Sequence, residues 1–168
     1  QWSFDPSSYV IFEHLGTDTE EQQWANYRIG EGKGVILWDN LNYAYNQNTM
    51  GSTSGSNIGR ADYESHGFAE RRNKTYGESH DEERLMYRNL TNGATNGVYN
   101  VKNLATALER QKAFAAALFT IPGPKMLWQF GELGFDLSIN RCANGTVNNN
   151  CRTDPKPSAF STTLNYYN

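Results

Sequence analysis

Gly34-Val35-Ile36-Leu37-Trp38 is a continuous apolar run that stops abruptly at Asp39-Asn40. A run of this kind reads as a strand buried on both faces, the form strands take in parallel sheets. The same form recurs along the chain. Tyr9-Val10-Ile11-Phe12 stops at Glu13-His14, and Lys125-Met126-Leu127-Trp128-Gln129-Phe130 stops at Gly131-Glu132. A weaker run, Lys74-Thr75-Tyr76-Gly77, joins the series because Glu78-Ser79-His80-Asp81 follows it as the other polar endings follow theirs. The intervening stretches are long enough to hold helices. The sequence therefore predicts an α/β fold, parallel strands with helices between them.

Two helices have legible ends. Asp18-Thr19-Glu20-Glu21 reads as an N-cap with a capping-box glutamate, opening a helix to about Ile29 that Gly30 and Gly32 stop. Leu104, Ala107, Leu108, Ala115 and Leu118 mark one face of a second helix from about Asn103 to Phe119, ended by Pro122 and Gly123. Asn46 to Ile58 is rich in Asn, Ser, Thr and Gly and reads as a long loop over a strand's C-terminal end. Residues 136–168 read as a loop-rich tail, and no fixed-period repeat is visible.

The 168 residues fit one domain at roughly 150 residues each. Aromatics make up 13% of the chain and can supply most of a core. A formal charge of −3, without a basic run, argues against a nucleic-acid partner, whose phosphates require clustered Lys and Arg. The longest apolar-leaning stretch, Ala113 to Leu127, is broken by Thr120, two prolines and Lys125, so no membrane span is expected. The sequence begins at Gln1, and no targeting segment is in view. Cys142 and Cys151 lie in the Asn-rich stretch CANGTVNNNC. They form a disulfide if their Cα atoms come within ~7 Å and otherwise remain free thiols. Metal ligation is disfavoured because the chain has three His and none near this pair.

In parallel α/β folds the loops after the strands' carboxyl ends build the site, because side chains converge there on one mouth. Glu13, Asp39, Asp81 and Glu132 are each expected at one strand's top, facing a common cleft. Two carboxyl groups about 5 to 5.5 Å apart, one protonated and one ionised, are what a retaining glycosidase requires. A single carboxylate at a strand end is more often a helix cap or a salt-bridge partner. Four in register favour a catalytic reading.

Three strings then carry a resemblance. Tyr76-Gly77-Glu78-Ser79-His80-Asp81-Glu82-Glu83-Arg84-Leu85-Met86-Tyr87 resembles the motif after the seventh barrel strand of the α-amylase superfamily of retaining glycoside hydrolases. Phe119 to Gly134 resembles the eighth strand and its entry, and Tyr9-Val10-Ile11-Phe12-Glu13-His14 resembles the fifth. Order and spacing agree from about Tyr9 to Phe135. Around His80 and Trp128 the likeness is to Bacteroidetes-type α-amylases and branching-enzyme-like proteins. The resemblance implies that Glu13 is the general acid/base, that Asp81 binds sugar hydroxyls and tightens as positive charge develops on the ring, and that His80 hydrogen-bonds the sugar. Glu78, Glu82 and Glu83 read as supporting or solvated charges. Trp128 reads as a core aromatic in preference to a stacking platform, and Asp39 matches no catalytic position of the family.

The family's nucleophile is an Asp accompanied by an Arg in a Gly-Phe/Tyr-Arg-x-Asp motif on the fourth strand, and no such string occurs here. A (β/α)₈ barrel takes ~250 residues. The chain is accordingly expected to be the second half, strands five to eight, of a TIM barrel, with the N-terminal half and the C-terminal β-domain absent. The implied activity is a glycoside hydrolase or transglycosylase acting on α-glucans such as starch or glycogen, with this chain inert alone. The alternative is a non-catalytic carbohydrate-binding half-barrel. A third class, a different α/β enzyme with Asp39 as nucleophile, has no supporting motif. No cofactor or metal is expected in this chain, since the family's calcium sites lie largely in the other half. Free strand edges predict self-association.

Overall fold

In the computed structural model, which describes residues 1–160, the chain runs through β1 (Ile11–Phe12), α1 (Asp18–Ala25), β2 (Ile36–Asn40), α2 (Asn42–Met50) and β3 (Asn73–Tyr76). It continues with α3 (Leu85–Asn92), a small hairpin of β4 (Thr95–Asn96) and β5 (Tyr99–Asn100), α4 (Leu104–Thr120) and β6 (Lys125–Met126). One parallel sheet has the order β1-β2-β3-β6. The α/β class with a parallel four-stranded sheet is thus observed. The end of the expected tail, residues 161–168, lies outside the described residues. None of the described helices is long and apolar enough to cross a membrane.

Strand alternation sorts the side chains. Register pairs Leu37 with Asn73 and Asp39 with Thr75, and all four side chains are buried. Trp38 pairs with Lys74 on the opposite face, where Ile11 and Met126 also lie, and these four are half-buried or exposed. The first face packs on Ala25 of α1 and on Phe68. Leu41, Tyr45, Leu85, Phe114 and Leu118 fill the space among α2, α3 and α4, with the Tyr45 and Phe114 rings edge to face at 4.8 Å. Gly77, just after β3, has to lack a side chain because an added Cβ would meet the Phe114 ring at 2.6 Å.

Several sequence expectations need correction. Helix α1 ends at Ala25, short of Ile29, because Arg28 turns into the left-handed region (φ 54°) ahead of a one-turn 3₁₀ segment. Its cap is Thr17, whose side chain accepts the Glu20 N–H, and not Asp18. The expected loop from Asn46 is helical as far as Met50. Poor helix formers are held there by burial of Tyr45 and Met50 and by Asn42 Nδ2, which donates to the carbonyls of Gly77 and Glu83, while within the helix Asn46 Nδ2 donates to Asn42 Oδ1. The last strand pairs over Lys125–Met126 alone and does not extend to Phe130. Helix α4 buries Ala107, Gln111, Phe114 and Leu118, while Leu104 is 39% exposed.

Candidate functional site

Glu13 follows β1 in phase with Ile11, so pleat alternation aims it onto the open face of the sheet. His80 and Asp81 follow β3. The three meet, although Glu13 is far from the other two in sequence: His80 Nε2 lies 3.5 Å from Glu13 Oε1 and 3.4 Å from Asp81 Oδ1. Their nearest ligand-type atoms all fall within 4.8 Å of one another. The His80 ring sits between Trp38 and Trp128, each with its centroid 6.0 Å away. Lys74 stands 3.9 Å over the Trp38 ring, and its partial burial lowers its pKa against the pull of the Glu13 charge. Trp128 is half-buried and lines a cavity with His80, so it is a wall of the site and not a core aromatic.

The loop carrying His80 and Asp81 is pinned by the three glutamates around it. Glu78 is buried, accepts the Leu85 N–H at 2.6 Å, and pairs with Arg84 at 3.2 Å. It therefore caps α3 from seven residues upstream and neutralises the positive end of that helix. Burial pushes the Glu78 carboxyl up in pKa, opposed by the Arg84 charge and the Leu85 N–H. Arg84 also donates to the Gln129 carbonyl at 3.0 Å and lies 4.8 Å over the Phe135 ring, tying the loop after β3 to the segment after β6. Gly131 permits this approach, since a Cβ there would meet Glu78 Oε2 at 2.9 Å. Glu82 accepts from Ser79 Oγ and from Asn40 Nδ2, and Glu83 accepts from Ser138 Oγ at 2.6 Å and the Ile139 N–H at 3.0 Å. None of the three is simply a solvated charge.

Two of the four expected carboxylates stand elsewhere. Asp39 is on the helix-covered face, 5% exposed, with His66 Nε2 at 3.4 Å. One residue of parity separates it from Trp38, which faces the site. Burial works against a charged His66 ring, but the Asp39 carboxylate outweighs it and the pKa is raised. Glu132 lies on the 3₁₀ turn Gly131–Leu133 and lines a separate apolar cavity of about 280 Å³ with Phe114, Phe119 and Leu127. The four carboxylates therefore do not share a cleft, and the Asp39 nucleophile has no access to one.

Sequence reasoning passed over Arg152, whose guanidinium donates to Asp81 Oδ1. It is delivered by a stapled loop. Cys142 and Cys151 form a disulfide with Cα atoms 5.0 Å apart, so neither is a free thiol. Lys156 Nζ gathers the carbonyls of Cys151, Arg152 and Asp154 at 2.7, 3.3 and 2.8 Å. Glu13, His80 and Asp81 also form a nitrogen-and-oxygen donor set of the kind that can hold a divalent ion, although Arg152 already occupies one Asp81 oxygen. No family model matches the chain, and no curated protein matches it.

Proposed function

We propose that this chain is the second half, strands five to eight, of a (β/α)₈ barrel of α-amylase type, and that its site serves a retaining glycoside hydrolase or transglycosylase acting on α-glucans. The observation that carries the reading is the meeting of Glu13 with His80 and Asp81 at the carboxyl ends of two parallel strands. That is where such folds keep their chemistry. The Glu13 and Asp81 carboxylates stand within 4.8 Å of each other, close enough for both to reach one sugar ring. In this mechanism Glu13 protonates the leaving oxygen and later takes a proton from water. Asp81 and His80 hold sugar hydroxyls, and Asp81 strengthens its hold as the ring gains positive charge. Trp38 and Trp128 present aromatic surface to the sugar. The nucleophile comes from outside this chain, which is therefore inert on starch by itself.

A titration with maltoheptaose tests the reading. Tryptophan emission is expected to change saturably with this α-1,4-glucan and not with cellohexaose, and the change should shrink in Trp128→Ala. Equal responses to both sugars, or to neither, would overturn it. A non-catalytic carbohydrate-binding half-barrel is the second reading, favoured by the lack of a Gly-x-Arg-x-Asp string. It gives the same titration, and a nucleophile motif in the reading frame ahead of Gln1 decides against it.

The half-barrel reading also sets an expectation for association. Among the described residues the sheet ends in two short strands with an unpaired edge each, β1 and β6, and its open side exposes Tyr9 (78%) and Ile11 (49%). Unpaired edges and apolar surface seek partners. Sedimentation over a hundredfold concentration range is expected to show self-association. A chain that stays monomeric throughout would count against an open half-barrel.

A further inference from the structure

Next to the Glu13, His80 and Asp81 group lies a cavity of about 310 Å³, the small end of the range for ligand sites. One wall is His80 and Trp128, a second is Arg84 on Phe135, and a third is the disulfide-stapled loop with Arg152 and Lys156. Its charge is one-sided. Arg84, Arg152 and Lys156 line it, and no carboxylate does among the described residues. The anions that balance the two arginines, Glu78 and Asp81, are not among the lining residues, so both ion pairs present their positive ends to the cavity. Lys156 is fixed by its three carbonyl contacts, and Arg84 by Glu78 and the Gln129 carbonyl. These cations are already oriented before any ligand arrives, which reduces the ordering cost of binding.

We propose that this cavity binds the oxyanion of a sugar bearing a phosphate ester or a carboxylate, with Arg152 as the residue that engages it. A guanidinium matches either group through two parallel N–H donors, and the aromatic walls offer a face for the sugar ring. The sugar part of the proposal rests on the α-glucan reading above. The anion part rests on the cavity and its one-sided lining.

The test is a titration of the whole chain at low salt with glucose 6-phosphate, glucuronate, inorganic phosphate and maltose, followed by tryptophan emission and amide chemical shifts. At least one charged sugar is expected to bind ten or more times tighter than maltose, and comparing the two identifies which oxyanion is preferred. Arg152→Gln should weaken that binding at least about tenfold, and Arg152→Lys by less, since it keeps the charge and loses the fork. Because Arg152 is 44% exposed, both variants should keep the wild-type circular dichroism. Should either misfold, raising the salt on the wild-type chain replaces it, weakening charged sugars and leaving maltose unchanged. Maltose binding as tightly as both charged sugars, or charged-sugar affinity untouched by Arg152→Gln or by salt, would overturn the proposal. Maltoheptaose binding without anion preference would defeat the anion site and leave the α-glucan reading standing. Anion preference without maltoheptaose binding would do the reverse, and inorganic phosphate would then be expected to compete.

Discussion

On the α-glucanase reading proposed above, replacing Glu13 with glutamine in the enzyme whose barrel this chain would complete is expected to lower turnover on an α-1,4-glucan by about 10²–10⁴-fold, the usual worth of a positioned proton donor. The side chain is 46% exposed and contributes to neither apolar cluster, so the amide should fit without cost to the fold. Glutamine also keeps an oxygen where His80 Nε2 now lies 3.5 Å from Glu13 Oε1. What it loses is the exchangeable proton. Aryl α-glucosides, whose leaving groups need little protonation, should therefore suffer much less than starch, while KM changes little. Equal losses on both substrates would point to a binding role for Glu13. Unchanged turnover on starch would remove Glu13 from the chemistry and with it the reading of the site.

The parallel arrangement was legible because an apolar run without alternation suits a strand covered on both faces and little else of that length, and Gly34 to Trp38 overlaps β2 over Ile36–Trp38, although the strand itself runs on through Asp39 and Asn40. Side-chain direction within those strands was less legible. Asp39 and Trp38 are neighbours at a strand end, and which one faces the site depends on a parity set by α1 and Phe68 packing on Leu37. Helix α3 escaped notice for a related reason. Its cap is the Glu78 carboxylate seven residues upstream, and rules that look for a capping side chain beside the first turn cannot find it. Helix α2 was hidden by composition, since Asn42 and Asn46 favour turns until the carbonyls of Gly77 and Glu83 give Asn42 partners. Arg152 is separated by 71 positions from Asp81, and the staple between Cys142 and Cys151 just before it was the one local signal that the segment is built rather than loose. The meeting of Glu13 with Asp81 was expected from their places at strand ends, and His80 joined them through the order of the three motifs; spacing along the chain gives no hint of it.

The buried pair behind the site should be the most sensitive point for stability. Glu78 and Arg84 side chains are 7% and 5% exposed and stand 3.2 Å apart, so removing one leaves the other charged with little water to solvate it. Arg84→Ala is expected to cost about 3–5 kcal/mol in urea unfolding, a large share of the roughly 5–15 kcal/mol typical of a domain. Part of that loss is packing, because the Arg84 guanidinium also covers the Phe135 ring. The double replacement Glu78→Gln with Arg84→Met restores an uncharged, filled interior and should recover most of the loss. A loss below about 1 kcal/mol in Arg84→Ala would mean that water reaches Glu78 and that the pair is not sealed. The effect should also be local in a way that global unfolding does not report. Arg84 joins Glu78 to the Gln129 carbonyl, so the double variant, though stable, loses the bond holding the loop of His80 and Asp81 against the segment of Trp128. Hydrogen exchange at residues 78–85 and 127–131 is therefore expected to quicken in the double variant even where its urea midpoint matches the wild type, because a methionine fills the volume of an arginine without reaching a carbonyl.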